Sequence, residues 1–240
     1  MRAPGELLVW DSDFFGLRVA QAIDTECFGN GAGARLIDWC ESQRVQWVYA
    51  LLPPTAAASR EAESHGFVLT DIRVELSRRV IRAPDTPPAA VRPFQTTDLP
   101  FLRDLARKSH RDSRFFADPQ LPRVQAERLF ERWIERDCEE SPNRWAGVAI
   151  VDELPVGYLT AHVDSHGTGS IGLVAVSSEA RGRGLGGQLL AAASQWMVER
   201  GVLAARVVTQ GRNIAAQRLY QQAGFRTESL QLWYHRWFPT

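Results

Sequence analysis

Between residues 170 and 201 the chain passes through three kinds of sequence whose order leaves few folds open. Ile171, Leu173, Val174 and Val176 make an apolar strand, glycines at 182, 184, 186 and 187 interrupt it, and a helix over 187–200 is closed by Gly201. A strand that feeds a helix through a glycine turn has to pack that helix back onto a sheet, which predicts a mixed α/β layout. The glycines also suit a particular ligand. Without Cβ atoms their amides can approach an oxyanion, and the helix N-terminus adds about half a positive charge. Arg181 and Arg183 place full charges in the same turn, so the segment predicts a phosphate or pyrophosphate site.

Two nucleotide-binding alternatives weaken on spacing. Gly182-x-Gly184-x-Gly186 lacks the Gly-Lys-Ser/Thr of a triphosphate loop, and Val202 or Leu203 stands where a dinucleotide fold would carry an acidic residue.

The surrounding pattern fills in the layout. Asp98 precedes a helical stretch with Phe101, Leu102 and Leu105 on one side, and a second helix is expected over about Val124–Cys138, with Leu129, Trp133 and Phe130 inward. Three strands follow, at 144–151, 156–164 and 170–176, joined by short turns. After the glycine-loop helix come a strand at 205–209, a helix capped by Asn213 and ended by Gly224, and a final hairpin over Phe225–Trp237.

Residues 82–93 carry four prolines in twelve positions, which excludes helix and removes ladder donors, so they read as a linker between units 1–81 and 94–240. The units share an ending. Val48–Leu52, Ala57-Ala58 and His65-Gly66-Phe67 match Arg206–Gln210, Ala215-Ala216 and Ala223-Gly224-Phe225 at one constant offset, which predicts two copies of a strand–helix–strand ending.

Charge bounds the partners. The 240 residues carry 28 basic and 28 acidic side chains, so no global field favours nucleic acid or a membrane surface. Lys108 is the sole lysine; the other cations are arginines. Three cysteines without a CxxC pair support neither a stapled secreted fold nor a zinc ribbon, and no stretch approaches 18 apolar residues, so a cytoplasmic location is expected. His162 and His166 would stand about 13 Å apart on an extended strand, too far to share a metal, and no metal is expected.

The run Arg181-Gly182-Arg183-Gly184-Leu185-Gly186 resembles the Arg/Gln-x-x-Gly-x-Gly/Ala signature of the GNAT superfamily of acyl-CoA N-acyltransferases, and the resemblance extends over roughly residues 90–240. It implies a GNAT fold preceded by a smaller, partial GNAT-like α/β domain. It also implies that the loop amides of Arg181 through Gly187 hold the pyrophosphate of acetyl-CoA. Leu173, Val174, Ala175 and Val176 would pair with its pantetheine arm. The family's asparagine and tyrosine fall at Asn213, a cofactor and catalytic position, and at Tyr220, two helical turns on and on the same side. A phenol with a pKa near ~10 can share its proton with a departing thiolate of pKa near ~8.5, which makes Tyr220 the general acid. A backbone N–H near Val174 would stabilise the oxyanion. The base stays open between Asp164, Glu179, His162 and a water relay.

Further segments are similar to the bacterial dTDP-fucosamine acetyltransferases: Trp10-Asp11-Ser12-Asp13-Phe14-Phe15-Gly16, Ser113-Arg114-Phe115, Phe130–Ile134 and Arg206–Asn213. This resemblance implies N-acetylation of the 4-amino group of a dTDP-4-amino-4,6-dideoxy sugar. Arg114 would then meet the diphosphate and Phe115 the base. The aromatic N-terminal part fits either a homodimer contact or a brace for the acceptor cleft. The alternatives are transfer to a protein, peptide or other small amine, and a non-catalytic acyl-CoA-binding module. Gly29–Gly33 repeats the loop spacing with Phe28 in place of Arg181, and reads as an ordinary glycine turn.

Overall fold

The computed structural model describes residues 3–23, 25, 28, 31–79 and 88–239. The first part of the chain forms β1 (Gly5–Leu7), α1 (Val9–Phe15), β2 (Val19–Ala22), α2 (Ala32–Ser42), β3 (Trp47–Leu52), α3 (Ala56–Ser64) and β4 (Val68–Arg78). The second forms β5 (Val91–Pro93), α4 (Leu99–Lys108), α5 (Arg114–Ala117), α6 (Arg123–Cys138), β6 (Arg144–Val151), β7 (Leu154–Val163) and β8 (Gly169–Val176). It ends with α7 (Leu185–Glu199), β9 (Ala205–Gln210), α8 (Ile214–Gln222) and β10 (Arg226–Trp237).

The repeat holds element by element, because β3, α3 and β4 stand 158 residues before β9, α8 and β10. Its local causes recur as well. The Thr55 hydroxyl accepts the Ala58 N–H at 3.3 Å and Asn213 Oδ1 accepts the Ala216 N–H at 3.0 Å, so both helices start on a side-chain cap at equivalent positions. Both end at a left-handed glycine, Gly66 (φ 76°) and Gly224 (φ 84°), followed by a buried phenylalanine, Phe67 and Phe225.

The strands form one ten-stranded sheet in the order β1-β2-β3-β10-β4-β9-β8-β7-β6-β5. The two copies exchange their last strands: β4 lies against β9 and β10 against β3, both antiparallel. In the central β4–β10 pair Arg73 stands opposite Gln231, and these are repeat-equivalent positions. A local two-fold axis therefore runs between them, marked by the hydrogen bond from Arg73 Nη1 to Gln231 Oε1 at 2.8 Å. The expected final hairpin is one unbroken strand, because β10 enters the slot between β3 and β4 and finds a ladder on each side.

Other differences are local. Val91–Pro93, read as linker, pairs with β6 as an edge strand, where the missing proline donor is tolerated; residues 82–87 of that segment lie outside the described residues. Arg114–Ala117 makes one helical turn inside the expected loop. Asp98 opens α4 but caps it with no side-chain bond; its carboxylate takes Arg92 in a bidentate pair at 2.7 and 2.8 Å and the Gln95 N–H.

Among the described residues the core has three apolar clusters. One lies under α7 and α8, and a second joins α2 and α3 to the first strands. The third crosses between the two parts of the chain, with Phe15, Trp47 and Tyr49 against Phe115, Phe130 and Ile134.

Candidate active site

The site begins where the sheet parts. β8 and β9 run parallel and paired from Gly169↔Ala205 to Ile171↔Val207; beyond Ile171, β8 stays with β7 while β9 stays with β4. An extra residue in β8 turns it aside, since Ile171 and Val174 face positions only two apart on β7, Ala161 and Leu159. The bulge is held by the Leu173 N–H, which donates to Thr160 Oγ1 at 2.9 Å, while that hydroxyl donates to Asp137 Oδ2 at 2.9 Å. Residue 172 has to be glycine, since a Cβ there would come within 2.5 Å of Thr160 Oγ1.

The wedge between the parted strands is a cavity of about 680 Å³. Leu173, Val174, Ala175 and Val176 line one wall, Val208 to Gln210 the other, and Asn213, Leu219 and Tyr220 face it from α8. Arg181, Gly182 and Gly186 close one end. Gly182 (φ 77°) and Gly184 (φ 73°) are left-handed, which turns the chain so that successive amides face outward. None of the N–H groups of residues 182–187 has a hydrogen-bond partner among the described residues. A row of free amides at the start of a fifteen-residue helix, opening on a slot between strands, fits a pyrophosphate with an extended arm. The flanking cations differ. Arg181 Nε donates to the Val176 carbonyl at 3.2 Å and lines the cavity, while Arg183 is exposed beside it. Leu185 is buried in the core and Gly187 is exposed, so both can meet a ligand through the backbone.

Tyr220 is 4% exposed and its hydroxyl has no hydrogen-bond partner among the described residues. Burial pushes its pKa above the ordinary phenol value, so the proton stays on the oxygen. Asn213 spends its side-chain oxygen on the α8 cap.

The three base candidates are elsewhere: His162, Asp164 and Glu179 line no part of this cavity. Asp164 holds the β7–β8 turn by accepting from His166 and Thr168, and Glu179 takes the Ser178 hydroxyl at 2.7 Å. Two carboxylates do line the cavity, Asp112 before α5 and Asp71, which comes from β4 in the first part of the chain and is the more deeply buried. It is 5% exposed, Oδ1 accepts its neighbour Ile72 N–H at 2.8 Å, and burial raises its pKa to about 6. The signal in the sequence was an aspartate inside a strand, where that residue is depleted.

At the far end, Arg114 and Phe115 line the cavity with His110 and Trp133. The Arg114 guanidinium lies over three rings, 4.1 Å from Phe115, 4.1 Å from Trp233 and 4.4 Å from Tyr49.

Parted parallel strands, an open glycine loop and a buried tyrosine thus face one cleft. The acetyltransferase (GNAT) family model matches residues 100–225, more than half of the chain, and the chain belongs to that family. It is an acetyl-CoA-dependent N-acetyltransferase. Over 238 residues it is 29% identical to the dTDP-fucosamine acetyltransferase of Escherichia coli O6:H1, covering 98% of this chain and 99% of that one. It is 30% identical to the spore coat polysaccharide biosynthesis protein SpsD of Bacillus subtilis over 148 residues, 60% of this chain and 50% of that protein. A GCN5-related N-acetyltransferase from Sphaerobacter thermophilus has the same fold, with a TM-score of 0.68 at 18% identity, covering 97% of this chain and 76% of the other. Among the described residues no helix is long and apolar enough to cross a membrane.

Proposed function

We propose that the protein acetylates the 4-amino group of a dTDP-4-amino-4,6-dideoxy sugar by direct attack of the amine in a ternary complex. The observation that carries this reading is one cavity with two chemically different ends: a row of free amides suited to the pyrophosphate of acetyl-CoA, and an arginine held among aromatic rings suited to a nucleoside diphosphate. The full-length similarity to a dTDP-fucosamine acetyltransferase supports the same acceptor class.

Acetyl-CoA supplies an acetyl thioester. The amides of residues 182–187 and the side chain of Arg181 bind its phosphates, and the unpaired edge of Leu173–Val176 orients its arm. A backbone N–H near Val174 would stabilise the oxyanion. Tyr220 keeps its proton because it is buried, and gives it to the leaving sulfur. Asp71, with a pKa near 6, is ionised at neutral pH and takes the proton released by the attacking amine. The first part of the chain thus completes the site, and we read it as a partial copy of the second, with the boundary in the segment 82–93.

The test is a turnover assay with dTDP-amino sugars, polyamines and peptides as acceptors. Consumption of thioester only with polyamines or peptides overturns the acceptor. Tyr220→Phe is expected to lower kcat by about 10²–10⁴-fold with acetyl-CoA binding retained. With the wild type, kcat/KM falls as pH drops through about 6, because protonation of Asp71 removes the base, and Asp71→Asn abolishes that limb along with most of the rate. An unchanged acid limb in Asp71→Asn removes Asp71 from the mechanism.

A further inference from the structure

Arg114 has an unusual setting for a cation. It lines the cavity, burial lowers its pKa from the ordinary guanidinium value, and no carboxylate lies within ion-pair distance among the described residues. Among the described residues the guanidinium makes one hydrogen bond, from Nη1 to the ring nitrogen His235 Nε2 at 3.3 Å.

His235 sits on β10 and is 2% exposed. Its Nδ1 faces Asp118 Oδ2 at 2.7 Å, and the same oxygen accepts the Trp237 Nε1–H at 2.9 Å. Asp118 follows α5 and is itself buried, with its other oxygen taken by the Gln120 N–H at 2.9 Å. Two facts set the tautomer. Burial lowers the pKa of His235 to about 4, so the ring is neutral at pH 7, and a carboxylate on Nδ1 requires the proton there. Nε2 is left with a lone pair, the only kind of group that can accept from a guanidinium. The ring lies edge-on to Trp47 and tilted to Tyr49, 5.2 and 5.1 Å away, so it cannot swing out of line.

We propose that His235, oriented by Asp118, is a positioning residue that aims the Arg114 guanidinium into the cavity as the anion-binding group for the acceptor's diphosphate. The imidazole is used as a neutral acceptor because it fixes one N–H of Arg114 without cancelling its charge. A carboxylate in that place would pair with Arg114 and leave nothing for the ligand. Tyr49, Phe115 and Trp233 cover the guanidinium, so its remaining donors are directed at a planar, bidentate anion rather than at water. This inference rests on the acceptor reading above.

The test measures dTDP binding by calorimetry on the full chain saturated with coenzyme A, so that the glycine loop is occupied and only the acceptor end is read. His235→Leu is expected to weaken dTDP about tenfold, as loss of a charge-assisted contact would. His235→Gln, whose Oε1 can accept in place of Nε2, is expected to recover most of that loss. Thermal melting checks that each variant is folded, and the KM for acetyl-CoA is expected to stay within about twofold, since His235 lines no part of the cavity. An unchanged dTDP affinity in His235→Leu overturns the proposal, as does an equal loss in folded Leu and Gln variants or no dTDP binding by the wild type. Turnover with no dTDP-amino sugar, alongside dTDP binding that depends on His235, overturns the acceptor and supports the positioning role.

Discussion

Among the described residues α2 and α7 each start on a left-handed glycine, Gly31 and Gly184, and the amides that follow are met differently. At α7 the amides of residues 182–187 have no hydrogen-bond partner among the described residues. At α2 the Gly31 and Gly33 N–H groups donate to the Glu61 carboxylate at 3.2 and 2.6 Å. Glu61 on α3 and Leu219 on α8 are repeat-equivalent, 158 residues apart. Leu219 packs on Gly186, where a Cβ would meet it at 3.2 Å, and carries no acceptor. The same helix position thus fills one turn with an internal carboxylate and offers the other no acceptor. What makes a phosphate site is an unmet set of amides, and glycine spacing alone does not ensure that.

The sharpest way to break this contrast is to copy the carboxylate across. Leu219→Glu places an acceptor beside Gly186, and the KM for acetyl-CoA is expected to rise about 10- to 100-fold, as one or two charged hydrogen bonds now compete with the ligand. An unchanged KM would mean that the residue opposite the turn does not decide its occupancy. A second measurement asks whether the copies are equal where they are both structural. Phe67→Ala and Phe225→Ala each remove a buried ring after the left-handed glycine and are expected to cost about 3–5 kcal/mol, read from urea midpoints. The smallest effects come from the caps. Thr55→Ala and Asn213→Ala should each cost about 1 kcal/mol, but only Asn213→Ala should also raise the KM for acetyl-CoA, because only α8 faces the cavity.

The glycine loop and its helix were legible because their causes are local: left-handed glycines and a strand just before them. The strand–helix–strand repeat is legible for the same reason, with Asn213 as the cap of its second helix; the equivalent cap at Thr55 emerges only in the structure. The expected final hairpin is instead one strand, since alternation over 225–237 says that a strand forms and not what lies beside it. Asp71 and the Glu61 plug escaped notice because each acts on groups remote in the chain. Arg114 was picked out by resemblance, yet its partner His235 lies 121 residues away and carried no motif.

By itself, then, the amino-acid sequence determined the α/β layering, the glycine turn that opens α7 and the existence of two related endings, all of which depend on neighbours within a few turns of chain. Only the tertiary structure decided that β4 and β10 are exchanged between the copies. That exchange carries Asp71 into the cavity between the parted strands and sets His235 behind Arg114. The reason is physical: a strand's partner and a cavity's wall are chosen by packing and hydrogen bonding between distant segments, and a periodic pattern specifies a face without naming what covers it.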